Sequence, residues 1–118
     1  MIQYNGQTLA YIGDAYYELK VREHLLNQGI VKANKLHQAV INYTSAQGQL
    51  EALRKIEDLL TEAEQAVVKR GRNAEGSRKP KHTKLQNYKL STGFEALIGY
   101  LYLSKAHDRL HQLLKEIL

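Results

Sequence analysis

Asp14 and Glu95 are the residues of this chain best placed to do chemistry, because each interrupts an apolar helical stripe. Asp14 lines up at 3/4 spacing with Ala10, Tyr17, Val21 and Leu25, and Glu95 with Gly99, Tyr102 and Ala106, beside Leu97 and Ile98. A carboxylate in a dry stripe is costly unless it is protonated, paired with a base or bound to a metal. Gly13 precedes Asp14 and Gly99 follows Glu95 by one turn. Glycine is a poor residue for a helix interior, so both point to two helices packed backbone to backbone, with the carboxylates brought together. Two carboxylates that close repel unless a proton or a cation lies between them. Oxygen-only ligation favours a hard ion, Mg²⁺ or Mn²⁺. Two structural readings stay open beside this one. Thr92-x-x-Glu95 matches a capping box, and Asp14 could pair with a basic residue from another helix. Glu18 is read as solvated and paired with Arg22 at i+4.

The elements that must hold these residues read as helices. A turn at Asn5-Gly6 leads into a first helix, with Thr8 as N-cap, that runs to about Asn27 and stops at Gly29. Leu9, Ile12, Tyr16 and Leu19 form its core-facing stripe. The Ala10–Leu25 stripe lies on the other side, the pattern of a helix shared between its own core and a partner. A second helix over 34–42 groups Leu36, Ala39, Val40 and Tyr43. A third opens at the Thr44-x-x-Gln47 pattern and carries Leu50, Leu53 and Ile56. A fourth opens at Thr61-x-x-Glu64 and reaches about Arg70. Residues 71–85 read as a long polar loop. Helical pattern resumes at Ser91, through Phe94, Leu97, Ile98 and Leu101 to about Lys105. A last helix from Asp108 carries Leu110, Leu113, Leu114 and Ile117. Tyr11, Tyr16, Tyr100 and Tyr102 fall at core spacing, as core or interface residues. No stretch alternates as a strand, so the expectation is an all-α fold in a single domain over residues 1–118.

The 118 residues include no cysteine, which excludes disulfides and thiolate metal sites and accords with a reducing cytoplasm. No apolar run approaches a membrane span, and the start lacks signal-peptide character. Lysine and arginine number 17 against 12 acidic residues, a net charge of +5. That excess is clustered. Lys69, Arg70, Arg72, Arg78, Lys79, Lys81 and Lys84 face only one acid, Glu75, a composition suited to nucleic-acid phosphates, with a merely solvated loop as the alternative. The histidines at 24, 37, 82, 107 and 111 lack zinc-site spacing, and no nucleophile elbow, P-loop or dinucleotide fingerprint occurs.

Leu9-Ala10-Tyr11-Ile12-Gly13-Asp14 resembles the signature helix of the ribonuclease III endonuclease domain, usually Leu-Glu-Phe-Leu-Gly-Asp. Phe94-Glu95-Ala96-Leu97-Ile98-Gly99 resembles its second metal-binding helix, usually Asp-x-Phe-Glu-Ala. Ala10 and Thr92 stand where that family has two further carboxylates. These departures, with Lys69-Arg70-Gly71-Arg72-Asn73-Ala74, Thr44-Ser45-Ala46-Gln47 and the short chain, resemble the Mini-III subgroup. The resemblance implies the catalytic domain without a separate double-stranded-RNA-binding domain. It implies a homodimeric, Mg²⁺-dependent endonuclease that cuts double-stranded RNA to 5′-phosphate and 3′-hydroxyl ends, in maturation of large-subunit (23S) ribosomal RNA, with a ribosomal protein as a possible helper. Asp14 and Glu95 are then the metal-binding catalytic residues, and Tyr11 and Tyr17 belong to the dimer interface. Lys69, Arg70, Arg72, Asn73, Arg78, Lys79, Lys81 and Lys84 contact the RNA. A non-catalytic RNA-binding module of the same fold is the alternative, since degenerate copies lose carboxylates.

Overall fold

The structure, a computed structural model, describes residues 3–74 and 85–118. Six α-helices follow one another: α1 (Gly6–Asn27), α2 (Ala33–Thr44), α3 (Ala46–Ile56), α4 (Glu62–Arg72), α5 (Leu85–Leu103) and α6 (His107–Ile117), with a 3₁₀ turn at Glu57–Leu59 before α4. No strand occurs among the described residues, so the all-α expectation holds. None of the helices is long and apolar enough to cross a membrane.

The fold is built around α5, which packs against α1, α3, α4 and α6. Its residues 91–94 and 96–99 are all buried, which explains why they are small or apolar. The Ser91 and Thr92 hydroxyls inside this buried run donate to the Tyr88 carbonyl at 2.8 and 3.0 Å, so neither is left unpaired. Phe94, Leu97, Ile98 and Leu101 meet Tyr17, Val21 and Leu25 of α1, Leu53 and Ile56 of α3, and Leu110 and Leu113 of α6 in one core. Tyr17 stands edge-on to Phe94, ring centroids 4.9 Å apart.

The helix starts differ from the sequence reading where local chemistry decides them. Asn5, not Thr8, caps α1, its side-chain oxygen accepting from the Thr8 N–H. Ser45, not Thr44, caps α3, and the residue three positions on is Gly48, so no reciprocal box closes there. Thr61 and Glu64 do form a complete capping box. Arg109 of α6 grips the same Glu64 through two nitrogens, each at 2.8 Å, and holds its carboxyl below the usual range. α4 continues through Gly71 to Arg72, and α5 starts at Leu85 rather than Ser91, because its first turn is polar and lacks the apolar period. Gly29 has φ +93°, the left-handed conformation expected just past a helix end.

The two-sided helix α1 buries the Ala10–Leu25 stripe, while of the stripe expected inside only Leu9 is fully buried and Tyr16 packs at the core edge. Leu9, Ala10, Gly13, Tyr17, Val21 and Leu25 are buried, whereas Leu19 and Tyr11 face outward, Tyr11 at 79% exposure. Tyr17, expected at an interface with a second copy, is fully buried against Phe94. The cause is the glycine. A β-carbon on Gly13 would lie 1.7 Å from the Glu95 carbonyl oxygen, and one on Gly99 would lie 1.9 Å from the Leu9 carbonyl oxygen. Only the glycine-bearing side of α1 can come this close to α5, and it carries Ala10 and Tyr17 inward with it. Gly13→Ala must force the two helices apart and should destabilise the fold by about 3 kcal/mol, the upper end for overpacking a core. Thermal melting checks this, and an unchanged midpoint would show that the two backbones are not in contact.

Candidate active site

The glycine contact sets the position of the two carboxylates. Asp14 follows Gly13 on α1, and the backbone atom nearest to Gly13 belongs to Glu95. The Asp14 carboxyl lies close enough to act on that of Glu95, and both line an open cleft with Gln7, Ala10, Tyr11, Tyr88 and Thr92. The expectation that these residues meet therefore holds, but their environments are unequal. Asp14 is exposed rather than sunk in a dry stripe, because it lies on the shoulder between the buried and open sides of α1. Glu95 is only partly accessible, and burial first, then the Asp14 carboxyl, push it up to about 8. Burial and the neighbouring carboxyl thus both favour the neutral form of Glu95.

Both structural alternatives are answered. Thr92 and Glu95 lie inside α5, one and a half turns or more from its first residue, and the Thr92 hydroxyl donates backward to Tyr88, so they form no capping box. Among the described residues no base pairs with Asp14, while Glu18 does pair with Arg22 as expected. No group of three or more His, Asp or Glu side chains converges among the described residues. Ala10 and Thr92 line the cleft beside the two carboxylates without adding a third.

One partner was missed from the sequence. Gln49 of α3 is 2% exposed, and its amide donates to Glu95 Oε2 at 3.2 Å. A signal was available: Gln49 shares a helix face with Leu53 and Ile56, so a polar side chain there needs a buried acceptor.

The basic end of α4 lies alongside. Lys69, Arg70, Arg72 and Asn73 are all exposed, and none of the three bases pairs with a carboxylate among the described residues. Gly71 backs onto Thr92, Gly93 and Ala96, so the end of α4 packs against the stretch of α5 that precedes and follows Glu95. Arg70 also donates to the Tyr4 carbonyl and ties the chain start to α4. Arg78, Lys79, Lys81 and Lys84 lie outside the described residues.

A small helical domain with this cleft has known counterparts. Residues 7–106 match the Ribonuclease III domain family. The fold is similar to a crystal structure of a protein from Fusobacterium nucleatum, with a TM-score of 0.89, 29% identity, and coverage of 100% of this chain and 96% of that one. Among curated relatives, the Mini-ribonuclease 3 of Symbiobacterium thermophilum is 50% identical over 92% of this chain and 83% of that protein. The Mini-ribonuclease 3 of Streptococcus pneumoniae is 45% identical over 92% of this chain and 87% of that protein. The chain belongs to the ribonuclease III family, within its Mini-ribonuclease 3 group.

The raised Glu95 has a measurable consequence. A carboxyl whose folded pKa exceeds its unfolded value contributes stability that is complete below the unfolded pKa and is lost as pH rises through the folded one. Metal-free protein should therefore lose stability between its ordinary 4.5 and about 8. The slope from this one group is at most about 1.4 kcal/mol per pH unit. Urea unfolding in EDTA across that range should show the slope in the natural protein and not in Glu95→Gln. Equal slopes in both would mean that Glu95 is ionised throughout.

Proposed function

We propose that this ribonuclease III family endoribonuclease cuts double-stranded RNA with Mg²⁺, for which Mn²⁺ can substitute, held between Asp14 and Glu95. The observation that carries the reading is the pair of neighbouring carboxylates, one partly buried and one exposed, that lines a single cleft where α1 and α5 meet. The donor set fits such an ion. It consists of oxygens alone, it holds a proton that a divalent cation would displace, and it leaves most coordination positions to water and phosphate. Bound there, the metal supplies neutralisation of the scissile phosphate and a water of lowered pKa.

The protein's own part is positioning. Glu95 gives up its proton, and both Asp14 and Glu95 turn their oxygens to the cleft. Lys69, Arg70 and Arg72, with Asn73, hold backbone phosphates on either side. A water oxygen bonds to phosphorus as the bond to the 3′-oxygen breaks; the water's proton is lost to solvent and solvent protonates the 3′-oxygen, giving 5′-phosphate and 3′-hydroxyl ends. The residues 78–84 extend the same basic run in sequence and belong to the same contact. Tyr11 and Leu19, exposed and apolar on the outer side of α1, suit a second copy of the chain, so that a homodimer acts on both strands. The substrate proposed with it is a precursor of large-subunit ribosomal RNA in the cytoplasm, with a ribosomal protein as helper, a reading supported by the ribonuclease III family membership. One observation favours a non-catalytic RNA-binding module instead: Ala10 and Thr92 line the cleft without ligating groups.

Incubation with long double-stranded RNA separates the two readings. Cleavage in Mg²⁺ should vanish in EDTA, and Asp14→Asn and Glu95→Gln should each lower it by more than the roughly 10–100-fold typical of residues that only support a metal ligand. Binding without cleavage under every condition would establish the module. Lys69→Glu and Arg72→Glu should weaken binding and lower the salt slope by about one for each lost phosphate contact. A slope equal to that of the natural protein would remove α4 from the interface.

A further inference from the structure

We propose that Gln49 is the positioning residue of this site, a buried neutral amide that fixes the Glu95 carboxylate for a divalent cation shared with Asp14. The proposal rests on the metal-site reading above and extends it to a third helix. Gln49 is 2% exposed on a face of α3 that otherwise buries Leu53 and Ile56, where a primary amide needs a partner. Its partner comes from far along the chain: Nε2 donates to Glu95 Oε2 at 3.2 Å.

The chemistry of that partner is specific. An amide N–H occupies one lone pair of Oε2 and leaves the charge of the carboxylate intact. A lysine or arginine in its place would orient Glu95 equally well but would cancel its charge and repel the cation. An apolar residue would leave Oε2 without its buried donor and the carboxylate free to rotate. Orientation has to come from α3 because α5 does not provide it: the Thr92 hydroxyl, one turn before Glu95, is committed to the Tyr88 carbonyl. With two carboxylates converging on the cleft among the described residues, the aim of each matters more than in a site with spare ligands. Groups that orient metal ligands in this way typically contribute 10–100-fold in affinity or activity, by a general rule for outer-shell partners.

The test titrates Mn²⁺ into the metal-free full chain, read by electron paramagnetic resonance, with thermal melts and cleavage kinetics alongside. Gln49→Leu and Gln49→Met should weaken Mn²⁺ binding about 10–100-fold and lower kcat while KM for RNA stays unchanged. Gln49→Glu, which sets a third carboxylate against Glu95, should instead tighten Mn²⁺ binding. A residue that only fills space would not shift the affinity in opposite directions for these changes. Natural Mn²⁺ affinity in folded Gln49→Leu or Gln49→Met overturns the proposal. Should both apolar variants fail to fold, Gln49→Glu decides alone, and unaltered affinity there overturns it equally. The parent reading fails separately: if Asp14→Asn and Glu95→Gln also keep full Mn²⁺ binding, no metal site exists. If those two lose binding and the Gln49 variants keep it, only the role of Gln49 is wrong.

Discussion

The close approach of α1 and α5 at Gly13 and Gly99 is the contact on which the remaining structure depends. In each glycine the space of a β-carbon is taken by a carbonyl oxygen of the opposite helix, so the two helices interlock in both directions. Interlocking fixes the register as well as the distance. Sliding α1 by one residue would bring a side chain against a carbonyl at two places at once. In the allowed register Asp14 meets Glu95, and Tyr17 meets Phe94 one turn further along. The site and the core are thus specified by one steric condition. Each glycine costs about 1 kcal/mol of helix propensity relative to alanine, and burial of Phe94, Leu97 and Ile98 at the contact outweighs that cost.

Two glutamates show how the same side chain is turned to structure or to chemistry by its neighbours. Glu64 sits at the start of α4, where it closes a capping box and receives both arms of Arg109, and its carboxyl is held down. It is buried, charged and satisfied, a pin between α4 and α6. Glu95 is partly buried, has no counter-charge among the described residues and faces another carboxylate, so it is held up. A fold selected only for stability would supply an arginine there as it does for Glu64. Among the described residues Glu95 has no counter-charge, which is what the proposed cation would supply.

Much of this was legible in the sequence because the decisive signals were local. Helical period gave all six helices, the Thr61 box and the Glu18–Arg22 pair, and the paired glycines pointed correctly to a backbone contact that joins Asp14 with Glu95. The errors arose where a local pattern admitted two answers. Both sides of α1 are apolar, so periodicity could not choose between the Leu9–Leu19 and Ala10–Leu25 stripes. The choice is made by which side carries Gly13, a tertiary condition, and it reassigns Tyr17 to the core and Tyr11 and Leu19 to the surface. The start of α5 was hidden because its first turn is polar, and Gln49 because its acceptor lies 46 positions away.

The asymmetry of the carboxylate pair follows from the same geometry and gives the two members different work. Glu95 is enclosed by α1, α3 and α5, and its side chain has an amide on one flank and a carboxyl on the other, so packing leaves it little freedom. Asp14 stands on the shoulder of α1, next to exposed Tyr11 and Ala15, and remains accessible to water and to a bound polyanion. A rigid ligand defines where a small cation sits, and an adaptable one accommodates the change in coordination when phosphate replaces water. A four-carboxylate site can spread both tasks over several residues. In the proposed site, with Ala10 and Thr92 contributing none, the division between a fixed glutamate and an accessible aspartate would let two carboxylates perform both, and it would place the burden of precision on the helices that enclose Glu95.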